Sequence, residues 1–472
     1  MSIKLLGKQS LIYGLGHVAA RLATFLLVPL YTNIISVHDY GIVSLVFVLI
    51  SFANVFFLHG MDSALLRFYG MEENNTQKSI IFSSSWWWVI GTSFILSTII
   101  YLFIPIISKL SIGIENQQLI LLALGIVFFD ALSTLPKILL RLQNKAIIFV
   151  IIEMINVGII VSLNIWWMGI QKLGLEYIFI SNLIASATIT VILLLFNINR
   201  HTWNFNKQVK SEMLLFAIPY IPAGLANMVN ELIDRYIIKW MIDEEAVGIY
   251  SAGYKLGISM LIVTMAFKFA WQPFFLGKAK EEDSHKTFTK IGTWFIAIAL
   301  FVVLTTILFI KEFIQFELFG ITFLGNEYWH SISIVPIVQM AYVFLGIFTI
   351  QLAGIYIHKK TKWIPIITGS AAIINIISNI ILIYYFGWQG AAWATLIGYI
   401  FMTVLQYYIV KKFYPLRWEW GKIIIISFFF MLAIYAGKFT ILYDLVIGKL
   451  ILVGLFCFLS YYYVLKLKFN IN

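Results

Sequence analysis

The chain is a succession of apolar runs, most of them 20 residues or longer and separated by short polar breaks. They fall at about 10–32, 41–68, 79–104, 118–140, 146–169, 174–197, 212–237, 247–274, 289–310, 329–356, 363–386, 390–410, 422–437 and 446–465. A helix that crosses a bilayer needs about 20 consecutive, mostly apolar residues. In hydrocarbon every backbone N–H and C=O must be satisfied inside the protein, so only helices or closed barrels cross. A barrel strand is about 10 residues of strict alternation. These runs are longer and do not alternate. The expected fold is an all-α polytopic membrane protein with about 14 transmembrane helices.

Composition narrows the function classes. The chain is 61% hydrophobic and 12% charged, where soluble proteins have about 45–50% and about 25%. No polar stretch is long enough to fold alone, which excludes a soluble enzyme and an anchored soluble domain. The 17% aromatic content excludes disorder. A single cysteine, Cys457, excludes an intrachain disulfide and a cysteine metal cluster. Met1–Gln9 leads into a full-length span with no small-residue cleavage site, so no cleavable signal is expected. Walker, HExxH, GxSxG and DxD motifs are absent from the sequence. No cofactor is expected, and the expected energy source is an ion gradient, with H+ or Na+ as the candidate coupling ions, or the membrane potential.

The net charge of +11 invites a nucleic-acid reading. The position of the basic residues points elsewhere. If the N-terminus is inside, 21 of the 33 Lys and Arg fall in cytoplasmic segments and six in outer loops. That is the positive-inside pattern. Both termini are expected in the cytoplasm, the partner is the lipid bilayer, and no nucleic acid is expected.

The two halves echo one another. Gly41, Ile42 and Ser44 recur as Gly248, Ile249 and Ser251, an offset of 207 residues. Asn164 lies ten residues before Gly174, and Asn379 eleven before Gly390. Helices 2 and 8 run in the same direction under this topology, so the offset counts six helices. The expected organisation is two pseudo-symmetric six-helix lobes, 1–199 and 200–412, with helices 13 and 14 appended in 413–472. Transporters built from repeats hold their substrate between them, near the midplane.

Polar residues are spaced to lie on single helix faces within the spans. Helix 4 carries Asp130, Thr134, Lys137 and Arg141. Helix 7 carries Asn227, Asn230, Glu231 and Asp234. Helix 2 ends with His59, Asp62, Ser63 and Arg67, and helix 5 adds Glu153. A basic residue at mid-bilayer costs about 2.5–3.5 kcal/mol on insertion scales. Arg21 and Lys255 sit about half-way along their runs, so they face a hydrated cavity or a paired acid. Arg67, Lys137 and Lys268 lie near inner ends, where snorkelling competes with a cavity role. Asp62, Asp130, Glu153 and Glu231 either carry coupling ions or neutralise the cations. The pair Asp234–Arg235 reads as structural. Pro219 and Pro222 should bend or loosen helix 7 and are the candidate gate.

The run Pro29-Leu30-Tyr31-Thr32-Asn33, then Tyr40-Gly41, Gly60 and Arg67-Phe68, resembles the opening of bacterial polysaccharide biosynthesis proteins. So do Asp234-Arg235-Tyr236, Val247-Gly248-Ile249-Tyr250-Ser251 and Trp271-Gln272-Pro273-Phe274. That family holds oligosaccharide flippases of the multidrug/oligosaccharidyl-lipid/polysaccharide exporter superfamily. The resemblance runs the length of the chain through short motifs in fixed order. It implies two six-helix lobes in a V plus two further helices, in the bacterial inner membrane. It also implies a substrate, undecaprenyl-diphosphate-linked oligosaccharide, moved from the inner to the outer leaflet by alternating access for O-antigen or capsule. A polysaccharide polymerase and chain-length machinery are the partners it implies. The residue chemistry agrees, because a diphosphate is best held by Arg and Lys. Arg21, Arg67, Lys137, Lys255 and Lys268 are the expected head-group ligands. Trp271, Gln272, Asn227 and Asn230 are candidates to stack on the sugars or hydrogen-bond to them.

Three other readings share these features. A cation-coupled drug antiporter of the same superfamily would favour an acidic cavity, whereas the deep charges here lean basic. A peptidoglycan-precursor flippase would use the same fold and the same diphosphate lipid. A membrane sugar polymerase would need a large outer loop, and every loop here is short.

Overall fold

Long helices form where the apolar runs predict them, and local chemistry sets their ends. The structure, a computed structural model, describes residues 25–197, 205–279, 281, 283–318, 320–439 and 445–462. In the N-terminal half the helices are α1 (Leu27–Ile34), α2 (Val37–Leu58), α3 (Met61–Met71), α4 (Asn75–Leu102), α5 (Ile104–Ser111), α6 (Gln117–Leu142), α7 (Ala146–Asn164) and α8 (Glu176–Asn197). There follow α9 (Lys207–Ala217), α10 (Tyr220–Met241), α11 (Glu244–Lys278) and α12 (Ser284–Gln315). A two-stranded hairpin, Glu317–Leu318 with Ile321–Thr322, precedes α13 (Val335–Ile357), α14 (Trp363–Phe386), α15 (Gln389–Lys411), α16 (Trp420–Phe439) and α17 (Val446–Ser460). Ser36, Asn74 and Asn206 cap α2, α4 and α9 by accepting hydrogen bonds from backbone N–H groups of the first turn.

Among the described residues eleven helical segments are long and apolar enough to cross a membrane. The pair α9 and α10, bent by 40°, is a twelfth candidate, and α17 is apolar but only 15 residues long. The body of the first expected span, up to position 24, lies outside the described residues. Two expected spans prove to be broken. The run 41–68 divides at His59 and Gly60, whose φ angles are 36° and 78°. The run 212–237 divides between Ala217 and Tyr220, at Pro219.

Packing divides the chain at Ser251/Ala252. In the unit Lys8–Ser251, α6 is central and packs on α2, α3, α4 and α8, with α7 against α8. Helix α9 packs on α3 and α4, and α10 packs on α2. At the far end of α10, Lys239 Nζ donates to the Ser111 carbonyl (2.5 Å) and Trp240 Nε1 to the Leu110 carbonyl (3.5 Å). A cation at the C-terminus of α5 also complements its dipole. The seventh-span helices are thus tied to the N-terminal helices at both ends. In the unit Ala252–Asn472, α15 lies between α13 and α14, and α16 and α17 pack on each other and on α12.

The echoed glycines meet. A methyl group on Gly41 would strike the Glu244 carbonyl, and one on Gly248 would strike the Val37 carbonyl. Val37 and Glu244 are themselves 207 residues apart. The contact between the first turns of α2 and α11 is therefore reciprocal, each repeat offering the same carbonyl and the same bare Cα to the other.

Inside α6, Pro136 has no N–H to give the Leu132 carbonyl. Trp86 on α4 supplies the missing donor, with Nε1 3.2 Å from the Leu132 oxygen. Removing that donor strands a buried carbonyl, which costs about 1–3 kcal/mol. Trp86→Phe should lower thermal stability in detergent by that amount. Adding Pro136→Ala should restore most of it, because alanine brings back the helical N–H. Equal stability of the single and double variants would show that the indole does not act through this carbonyl.

Candidate functional site

Helix α6 presents Asp130, Thr134 and Lys137 along one face. The outer two are seven residues, or about 10 Å, apart. Lys137 Nζ lies 3.0 Å from Glu153 Oε1 on α7. Asp130 Oδ1 accepts from Ser186 Oγ on α8 at 2.7 Å, and Thr134 donates back to the Asp130 carbonyl. Lys137 and Glu153 both act electrostatically on Asp130. Three helices therefore enclose two carboxyls, one ammonium and one hydroxyl, a group with a formal charge of −1 when all are ionised. Such a cluster can hold a cation or exchange a proton. Ser186 is a member that spacing alone did not reveal, since it sits on a separate helix.

Asp234 and Arg235 form a second charged knot in α10, and it is structural. Arg235 Nη1 lies 2.7 Å from Asp234 Oδ1, and the two residues are 6% and 2% exposed. Arg235 also donates to the Glu231 carbonyl (2.9 Å), and the Tyr250 hydroxyl donates to Asp234 Oδ2. Tyr236 reaches across to the Leu45 carbonyl at 3.2 Å. The segments Asp234-Arg235-Tyr236 and Gly248-Ile249-Tyr250 are thus joined to each other and to α2.

The remaining candidates are dispersed. Arg67 is exposed on α3, with its guanidinium 4.5 Å from the centre of the Phe216 ring. Asp62 lies in the first turn of α3, where the helix dipole favours an anion. On α10, Asn227 is exposed, while Asn230 is buried and bonds the Ala226 carbonyl at 2.9 Å. Glu231 is half-buried beside them. Pro219 and Pro222 stand at the 40° bend, as cap and first turn of α10.

In the second unit, Lys255, Lys268 and Gln272 all belong to α11. Lys255 is half-buried, whereas Lys268 and Gln272 are exposed one turn apart. Thirteen residues separate the two lysines, which is about 20 Å of rise and about 140° of turn. A single ligand atom does not meet both. Trp271 is 2% exposed within a cluster of Phe267, Phe274, Phe275 and Phe288. It packs the core and is not a stacking platform for sugars. Lys449 on α17 is also buried, paired with Glu312 of α12. Arg21 lies outside the described residues.

Lys137 and Glu153 keep side-chain exposures of 22% and 13%. Breaking such a pair leaves one charge stranded in a mostly apolar surround. Partial exposure lowers the cost below that of a fully buried pair, to about 1–3 kcal/mol. Lys137→Ala and Glu153→Ala should each destabilise the protein by that amount, and the double variant by clearly less than the sum. Thermal unfolding of all three variants in lipid measures this, and strict additivity would show that the pair is not coupled.

Residues 6–277 match the family model described as "Polysaccharide biosynthesis protein". No curated protein sequence matches the chain. Among solved structures, the lipid II flippase MurJ in an inward closed conformation superposes with a TM-score of 0.75 at 17% identity, covering 95% of this chain and 98% of that one. A mutant of the Vibrio cholerae MATE transporter VcmN gives 0.60 at 14% identity, covering 87% and 96%. A MOP superfamily transporter from Pyrococcus furiosus, noted for the reverse polarity of its binding pocket, gives 0.57 at 14%, covering 87% and 94%. At these identities the likeness is one of fold. It is the all-helical transporter fold of flippases and exporters, and enzymes are not among these neighbours. The matched model spans more than half of the chain and takes in the Gly41–Gly248 contact and the Asp234–Arg235–Tyr250 knot, so the chain belongs to the polysaccharide biosynthesis protein family.

Proposed function

We propose that the protein is a lipid-linked oligosaccharide flippase of the bacterial inner membrane, with both termini in the cytoplasm. Its substrate is an undecaprenyl-diphosphate-linked sugar repeat unit. It moves this lipid from the cytoplasmic to the outer leaflet by alternating access, for O-antigen or capsule assembly. One observation carries the reading. In a chain of this family, some intramembrane cations are matched by acids and others are not. Lys137 and Arg235 are neutralised by Glu153 and Asp234. Arg67 and Lys268 have no acidic partner among the described residues. Unneutralised cations attract a diphosphate and repel a cationic drug.

Energy comes from an ion gradient or from the membrane potential. A potential contributes about 2.3 kcal/mol per charge per 100 mV, and with the interior negative it favours outward movement of an anion. Proton or sodium exchange at the Asp130–Lys137–Glu153 cluster, with Asp62 and Glu231 as further carriers, adds to it. The bend at Pro219 and Pro222 is the gate. Sugars are held by Asn227, Asn230 and Gln272, and delivered units pass to a polymerase and its chain-length partner.

Separate Gln substitutions at Arg21 and Lys255 should leave membrane abundance near normal and abolish surface polysaccharide, with the intact lipid-linked unit accumulating inside the cell. Normal export in both variants would overturn their role. Replacing Pro219 and Pro222 together with Ala should slow flipping while changing head-group affinity less than about tenfold, or about 1.4 kcal/mol. Wild-type flipping in that variant would make the bend a static kink. The fold likeness to MurJ favours one second reading, a peptidoglycan-precursor flippase. Rescue of a strain depleted of its essential precursor flippase would support it over the first.

A further inference from the structure

The two broken spans break against each other. Gly60, in the left-handed region at φ 78°, closes directly on the last residue of α9 and the first of α10. A methyl group there would strike the Ala217 carbonyl and come within 2.9 Å of Tyr220 Cβ. The segments beyond the breaks, α3 and α9, are clasped together. Phe68 meets Phe216 edge-on at 6.1 Å, and the Arg67 guanidinium covers the same ring. Helix α4 holds both breaks. Trp88 Nε1 donates to His59 Nε2 at 2.9 Å, and Lys210 Nζ of α9 lies 4.5 Å from the centre of the Trp88 ring. A turn earlier, Ser84 Oγ accepts from the Asn206 N–H that leads into α9.

This geometry fixes the protonation state of the histidine. An indole N–H only donates. His59 Nε2 must therefore be the acceptor, and Nδ1 carries the hydrogen given to the Phe57 carbonyl at 3.0 Å. The ring is neutral in this arrangement. A proton added at Nε2 sets two N–H groups against each other and expels Trp88. The Trp88 face is also the seat of the Lys210 ammonium, so its departure unseats α9. Two charged groups bias the event. Burial of the ring disfavours the added charge, Asp62, three residues on, attracts it, and Lys210 opposes it.

We propose that His59 is a proton-binding site that controls the joint bend of the second and seventh spans. With the ring neutral, the Trp88 bond latches α9 against α3 and α4. With the ring protonated, the latch opens and the paired breaks move as one hinge. The proposal rests on the alternating-access reading above for its purpose, but its test does not involve the transported lipid.

The test uses the full chain in lipid nanodiscs without substrate. In a Cys457→Ser background, nitroxides are placed at Leu215→Cys on α9 and Phe56→Cys on α2, both exposed positions. Distance distributions are recorded by electron double resonance from about pH 8 to about pH 5, the range in which histidine titrates. The distribution should shift to a second component with a single midpoint. His59→Asn tolerates the left-handed backbone but does not titrate, and His59→Gln keeps an acceptor for Trp88. Both should lose the shift. Trp88→Phe removes the donor and should show the low-pH component at every pH. A wild-type distribution indifferent to pH, or an undiminished shift in both His59 variants, would overturn the proposal. Neither result would bear on whether the protein flips lipid.

Discussion

Everything in this structure answers to the cost of an unsatisfied backbone group in hydrocarbon. An unbroken helix meets that cost internally, which is why the apolar runs are helical. Each interruption must be met by a named neighbour. The Leu132 carbonyl freed by Pro136 takes the Trp86 indole. The end of α5 takes Lys239 and Trp240. The end of α2 takes the His59 ring at the Phe57 carbonyl. The side chains that mend the backbone are long, polar-tipped and mostly supplied by another helix. Mending therefore also ties helices together. This explains why α9 and α10, which follow the N-terminal helices in sequence, pack as part of their unit.

The same low dielectric sorts the charges. Lys137 with Glu153, Arg235 with Asp234, and Lys449 with Glu312 are matched within the protein. The Asp234–Arg235 knot, capped by Tyr250, joins the segments Asp234-Arg235-Tyr236 and Gly248-Ile249-Tyr250. Those two segments serve as ties that hold helices together. The reciprocal contact of Gly41 and Gly248 is another, since it needs two bare Cα atoms and nothing chemical. Arg67 and Lys268 are left without an acidic partner among the described residues, and the proposed head-group role rests on them.

Much of the fold was legible in the sequence because hydrocarbon imposes one rule on every residue. The expected run 363–386 coincides with α14, and 390–410 falls within one residue of α15 at each end. The echo at an offset of 207 residues marked a real contact, although nothing in one sequence says that repeated glycines meet. The break at His59–Gly60 was hidden because the apolar run resumes beyond it, at Met61, Ala64, Leu65 and Leu66, and a left-handed histidine leaves no pattern. The bend of the seventh span was legible, because proline announces itself. Site residues were harder. Periodicity placed Asp130 and Lys137 on one face, but Ser186 and Glu153 join them only through tertiary packing. Trp271 looked like a sugar platform and proved to be core, since an aromatic at a helix end reads the same either way.

Transfer of the lipid between leaflets tests the account most directly. Purified protein would be reconstituted into sealed vesicles with a fluorescent undecaprenyl-diphosphate oligosaccharide, and its leaflet followed by quenching from outside. The account predicts protein-dependent transfer that quickens when an ion gradient or a potential is imposed, with no matching transport of a cationic dye. Transfer no faster than in protein-free vesicles, together with gradient-driven movement of the dye, would contradict it.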